Sequence, residues 1–172
     1  MSRCADLVSS LASLLLLTIS SAAFSQSCTA PTQLWAQGSY PIDTCHSGDA
    51  GPVNLCSGLL STGNAVFFRL YLQYPIGYVF SVAPDAGSNF DPAIVVRRHD
   101  CLGAGDCADV VDAMSVGQGE MFQLYQLDSG DYDIIVTSLD AGGSCGTATV
   151  TFSDGLCGCT SNDGIFVSKF DF

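Results

Sequence analysis

The sequence predicts an all-β fold, an antiparallel β-sandwich or jelly roll braced by disulfides, and three observations point there. From Ala65 onward, short segments alternate apolar and polar residues with a period of two, the pattern of a strand with one face on a core. Clusters of Gly, Pro, Asp and Ser separate these segments at turn-like intervals. Beyond the first 25 residues no segment has the helical period. A chain of 172 residues supports one real core and is short for two.

Residues 1–25 read as a signal peptide. An apolar run from Leu7 to Ile19 follows Arg3, small residues at Ser20 to Ala23 and Ser25 offer cleavage positions, and the run is too short for a membrane span. No span is therefore expected after cleavage. Residues 26–63, rich in Gly, Ser, Pro and Thr, are expected as an irregular disulfide-tied segment packed on the domain, with one strand near Val53-Asn54-Leu55. The sandwich itself is expected over residues 64–155. Val66, Phe68, Leu70, Leu72 and Tyr74 share one face of the first clear strand, opposite Phe67, Arg69, Tyr71 and Gln73. Tyr78, Phe80 and Val82 alternate next, and Ala93-Ile94-Val95-Val96 reads as a buried strand. Residues 121–127 are strand-like without a clear inward face. Tyr132, Ile134 and Val136 follow the turn Asp128-Ser129-Gly130-Asp131, and Ala148, Val150 and Phe152 form the last strand. Residues 156–172 are expected as a tail, either an edge strand or a sorting-type ending.

The full chain has nine cysteines, and loss of Cys4 with the signal peptide leaves an even set, which in an exported chain implies disulfides. The pairs expected from their short enclosed loops are Cys101 with Cys107 and Cys45 with Cys56. Cys28, Cys145, Cys157 and Cys159 would then join the chain ends in an order the spacing leaves open.

The net charge is −12, and it is unchanged by removal of the signal peptide, which takes away Arg3 and Asp6 together. Phosphate backbones are repelled, so nucleic-acid binding is excluded, while cations and basic surfaces are natural partners. Only 13% of residues are charged, which suits a folded domain with an acidic skin rather than a disordered acidic tail.

The succession AVFFRLYL, GYVFSV, FDPAIVV, a C-x5-C loop, GEMFQLYQLDSGDYDIIV and CGTATVTF resembles the bacterial pre-peptidase C-terminal domain group over about residues 63–152. The resemblance implies a secreted, non-catalytic, jelly-roll-like module of the kind appended to proteases and other exported proteins. This chain departs from it in its larger number of cysteines, and it is expected to stand without the catalytic domain to which such modules are appended. The ending Gly164 to Phe172 is similar to short C-terminal endings of many exported bacterial proteins.

Calcium is the sharpest candidate chemistry. The ion takes roughly six to eight oxygen ligands, which Asp carboxylates and loop carbonyls supply. Asp100, Asp106 and Asp109, joined by Asp91 or Asp85, would form the site if a Cys101–Cys107 bridge folds the loop back. Two carboxylates about 4 Å apart repel by roughly 1 kcal/mol in water and about 4 at an effective dielectric of 20, so a convergent cluster calls for a cation. The competing reading is a solvated acidic loop, and the spacing is not that of an EF-hand.

Catalytic signatures are absent. Asp128-Ser129-Gly130 stands as a turn without a second copy, His46 and His99 stand apart from any metalloprotease or nucleophile-elbow motif, and Glu120 is the only glutamate. Cys157-Gly158-Cys159 lacks a partner pair for a metal site. Phe90, Trp35, Tyr40, Tyr71 and Tyr74 offer either core filling or a sugar-stacking surface. The sequence thus leads to a secreted, extracellular or periplasmic, non-enzymatic binding or assembly module whose partner is a protein or polysaccharide of the envelope or matrix. Two alternatives stand beside it. A carbohydrate-binding module would show a row of exposed aromatics, and a self-assembling subunit would use Ile165–Phe170 as an added strand.

Overall fold

The structure, a computed structural model, describes residues 26–154 apart from Ser47, Pro52, Ser57, 74–77, 101–106, 125–126 and Ala141. The expected signal peptide, Cys101, Asp106, Tyr74, Cys157, Cys159 and the tail lie outside the described residues.

Among the described residues eleven strands follow one another: β1 (Thr32–Gln33), β2 (Gly38–Asp43), β3 (Asn54–Cys56), β4 (Leu59–Leu60), β5 (Val66–Leu72), β6 (Tyr78–Pro84), β7 (Ala93–Arg98), β8 (Cys107–Val111), β9 (Glu120–Gln123), β10 (Gly130–Thr137) and β11 (Thr147–Asp154). A five-stranded sheet in the order β1-β5-β10-β7-β8 faces a four-stranded sheet in the order β2-β11-β6-β9, and β3-β4 is a separate hairpin. Every ladder is antiparallel except β1 with β5, and no α-helix occurs among the described residues. This is the all-β, disulfide-braced sandwich that the alternating pattern predicts.

Period-two patterning builds the inner core. Val66, Phe68, Leu70 and Leu72 of β5, Ile94 and Val96 of β7, and Ile134 and Val136 of β10 meet Phe80 and Val82 of β6, Phe122 of β9, and Val150 and Phe152 of β11. Phe68 packs edge-on against both Phe80 and Tyr40. Burying each such side chain contributes about 1.5–3 kcal/mol relative to leaving it exposed. The ambiguous strand β9 turns Phe122 inward and leaves Met121 and Gln123 exposed.

Two differences from the sequence reading bear on function. Residues 26–63 are no irregular appendage: β1 extends the five-stranded sheet beside β5, and β2 extends the four-stranded sheet beside β11. The residues ahead of β1 and the part between β2 and β5 form a third layer. Cys28, Leu55 and Cys56 pack with Phe67, Val95 and Ile135 on the far face of the five-stranded sheet, so its central strands are buried on both sides. The second difference is the disulfide map. Cys45 bonds Cys145, with Cα atoms 5.1 Å apart, and Cys56 bonds Cys107, with Cα atoms 5.3 Å apart. The expected pairs Cys45–Cys56 and Cys101–Cys107 are therefore not formed. The reason is register: Cys107 sits opposite Arg97 at the edge of the sheet, where the β3 hairpin lies across β7. Thr44, next to Cys45, is hydrogen-bonded to Gly146, next to Cys145. Cys28 is also disulfide-bonded.

Candidate ligand-binding face

The outward face of the five-stranded sheet holds two neighbouring rows of side chains with opposite character. The first row is set by the pairings Gln33↔Arg69, Arg69↔Asp133, Asp133↔Arg97 and Arg97↔Cys107. Asp133, wholly buried, is its centre. It accepts hydrogen bonds from Arg69 Nε and Nη2, each at 3.2 Å, faces Arg97 Nε at 3.6 Å and lies 3.0 Å from His99 Nδ1. Arg97, only 2% exposed, donates through Nη1 to the carbonyls of Asn54 and Leu55 and through Nη2 to Cys28 Sγ, with its guanidinium 5.7 Å from the Phe67 ring. The third layer thus covers a charge cluster in which Asp133 is surrounded by cationic groups, which lowers the cost of burying the charges, although Arg97 Nε is left without a hydrogen bond.

The next row stays open. Asp131 pairs with Tyr71, and His99 N–H donates to the Asp131 carbonyl on the other side. At the edge, Leu34 N–H donates to the Arg69 carbonyl while its side chain enters the inner core. Continuing that alternation puts Trp35 on the outward face beside Tyr71. Trp35 is 81% exposed and Tyr71 62% exposed, and Asp131 and His99 are exposed as well. Tyr71 of β5 and Asp131 of β10 thus stand side by side, with His99 just past the end of β7 on one flank and Trp35 two residues past the end of β1 on the other. Asp133 engages Nδ1 of His99 from beneath, and Nε2 is the nitrogen left for a ligand. The side chain of Asp131 has no hydrogen bond or ion pair among the described residues.

The aromatics divide accordingly. Phe90 is wholly buried, and Tyr40 packs against the core with its hydroxyl donating to the Ala36 carbonyl at 2.8 Å. Trp35 and Tyr71 alone among the described residues of that set are open.

The acidic residues expected to hold calcium are spread apart. Asp91 precedes β7 and Asp100 follows it, and a six-residue strand spans about 20 Å. Asp109 lies within the edge strand β8, where its Oδ1 accepts from the Val110 N–H. Asp85 sits after β6, hydrogen-bonded through its N–H to Thr147 of the other sheet. The carboxylates near Asp91 are instead Asp112, Asp140 and Glu120, drawn there by strand ends that sequence distance does not reveal. Burial first, then these three like charges, hold the Asp91 carboxyl above its ordinary range, and its Oδ1 is buried without a hydrogen bond. Glu120 receives the Ala113 and Met114 N–H groups. At Asp140, donors from Ser144, Ser138 and Gly143 outweigh the upward push of burial and lower its pKa. Among the described residues no three His, Cys, Asp or Glu side chains lie close enough together to hold a metal ion.

No family model matches the chain, and no curated protein matches it. Among solved structures it is similar to the pre-peptidase C-terminal domain of a collagenase from Bacillus anthracis, at 12% identity and a TM-score of 0.43, over 71% of this chain and 93% of that one. It is also similar to PliG from Aeromonas hydrophila, a periplasmic lysozyme inhibitor of g-type lysozyme, at 14% identity and a TM-score of 0.35, over 69% of this chain and 85% of that one. Both are likenesses of fold, the first to the group that the strand order resembles.

Proposed function

We propose that the protein is an extracytoplasmic, non-catalytic module that binds a polysaccharide on the open row Trp35–Tyr71–Asp131–His99. One observation carries this reading: the exposed ring of Tyr71 stands in register with Asp131 on a sheet whose other face is the core, and a second exposed ring, Trp35, lies two residues beyond the neighbouring strand β1. Sugar rings have apolar faces that stack on Trp and Tyr and hydroxyl edges that hydrogen-bond a carboxylate or an imidazole nitrogen. A rigid sheet holds these groups without an ordering cost at binding. The disulfides Cys45–Cys145 and Cys56–Cys107 favour an oxidising compartment, in keeping with a place outside the cytoplasm. His99 is held by a buried carboxylate but has no nucleophile hydrogen-bonded to it among the described residues, and His46 lies elsewhere, paired with Asp43. Those facts favour a binding role over hydrolysis.

The test is affinity electrophoresis and calorimetry of the oxidised protein against a panel of soluble polysaccharides. Trp35→Ala and Tyr71→Ala should each weaken binding about tenfold, the effect of losing an interface hot spot, without moving the unfolding midpoint. Undiminished binding by the double variant, or no binding across the panel, would overturn the reading.

A further inference from the structure

Resting on the polysaccharide reading, we propose that the sugar bound on this row carries a free, protonated amine, as a glucosamine-type polymer does, and that the ammonium sits over Tyr71 against Asp131. Tyr71 and Asp131 are direct partners in the β5–β10 ladder, which brings their Cα atoms to about 5 Å. An exposed aromatic ring beside a carboxylate is the arrangement that holds an organic cation, the ring through its negative face and the carboxylate through charge and hydrogen bonds.

The surrounding charges leave this place open to a cation. Arg69 and Arg97 both face Asp133, one position deeper along β10, and His99 Nδ1 is turned to the same carboxylate. Arg98, the remaining arginine, pairs with Asp128 and lies over the Tyr132 ring at 5.6 Å. Asp131 is therefore the carboxylate on the outward face that no cation of the described residues neutralises. A protein of net charge −12 also repels uronic or sulfated chains at long range and attracts a polycation, so the global field and the local pair favour the same ligand. Trp35, beside Tyr71, provides the neighbouring ring on which the next sugar of the chain stacks.

The experiment compares three oligosaccharides of equal length by calorimetry at mildly acidic pH: a chitosan oligomer, its fully N-acetylated chitin counterpart, and a cellulose oligomer. Acetylation turns the amine into a neutral amide, so the first pair isolates the charge. The free amine should bind about tenfold more tightly than the amide, and Asp131→Asn should abolish that preference, bringing the two affinities together. Asp85→Asn, which removes the same unit of charge from the exposed turn after β6 in the other sheet, should leave the preference intact. Equal affinity for amine and amide, or loss of the preference with Asp85→Asn as well, overturns the ammonium assignment while the polysaccharide reading stands. Absence of binding to all three oligomers removes both.

Discussion

Replacing Asp133 with alanine is the perturbation that most directly tests the layered architecture. The substitution leaves Arg97, 2% exposed, without an ion pair among the described residues, because the carboxylate it faces at 3.6 Å is gone. Its Nε has no hydrogen bond even in the intact protein. Arg97 Nη1 keeps the Asn54 and Leu55 carbonyls, and the guanidinium keeps the Phe67 ring, so the group remains partly solvated by protein but uncompensated in charge. Arg69 and His99 are partly exposed and can turn to water. Breaking one side of a buried ion pair costs roughly 3–5 kcal/mol, and the surviving contacts of Arg97 place this case near 4. For a domain of this size that corresponds to a fall of about 10–15 °C in Tm.

Urea and thermal unfolding of the oxidised protein, followed by near-UV circular dichroism at neutral pH, measure the loss. A second variant separates charge from packing: Asp133→Leu combined with Arg97→Met replaces the central pair with apolar side chains of similar volume and should recover most of the stability. A cost below about 1 kcal/mol for Asp133→Ala would refute the claim that the Asp133–Arg97 pair is sealed from solvent. A double variant no more stable than the single one would show that the charges are not what the third layer is built around.

Non-reducing peptide mapping should recover Cys45–Cys145 and Cys56–Cys107, and a peptide joining Cys101 to Cys107 would contradict the fold. With a sequence separation of 51, the Cys56–Cys107 bridge should be worth about 4 kcal/mol in unfolding of the Cys56→Ser, Cys107→Ser variant. Asp91→Asn should raise stability at neutral pH. Because the folded pKa lies above the ordinary 3.8, the contribution of the protonated form is complete below that value and is lost as pH rises through the folded pKa, so the variant's advantage should vanish in acid. Urea midpoints across pH test this, and an Asn variant that is less stable than the parent at neutral pH would refute it. Because β7 separates Asp91 from Asp100, calcium should not raise Tm through the two together, and a calcium-dependent rise in Tm lost on either Asp91→Ala or Asp100→Ala would mean that these carboxylates share one site after all.

Alternation along a strand reveals which residues share a face, and that much of the core was legible: Val66, Phe68, Leu70 and Leu72 all point into the sandwich. Parity says nothing about what covers the opposite face. Phe67 and Tyr71 have the same parity on the same strand, yet Phe67 is wholly buried and Tyr71 lies 62% exposed. The difference is made by Cys28, Leu55 and Cys56, which reach Phe67 from far along the chain. Loop length misled the disulfide assignment for a related reason. The entropy of closing a loop grows only logarithmically with its length, so short loops are weakly favoured and strand register decides. A signal was present at Arg69, Arg97 and Asp133, charges set in otherwise apolar strands of a chain with few cations. Such a charge requires a partner, but the partner's identity emerges only when β10 is placed between β5 and β7. The same placement sets Asp131 and Asp133 on one face, two residues apart, with opposite fates. Asp133 is neutralised beneath the third layer, and Asp131 is left at its margin between Tyr71 and His99. The edge of that layer, rather than any motif, therefore determines which carboxylate is structural and which is available to a ligand.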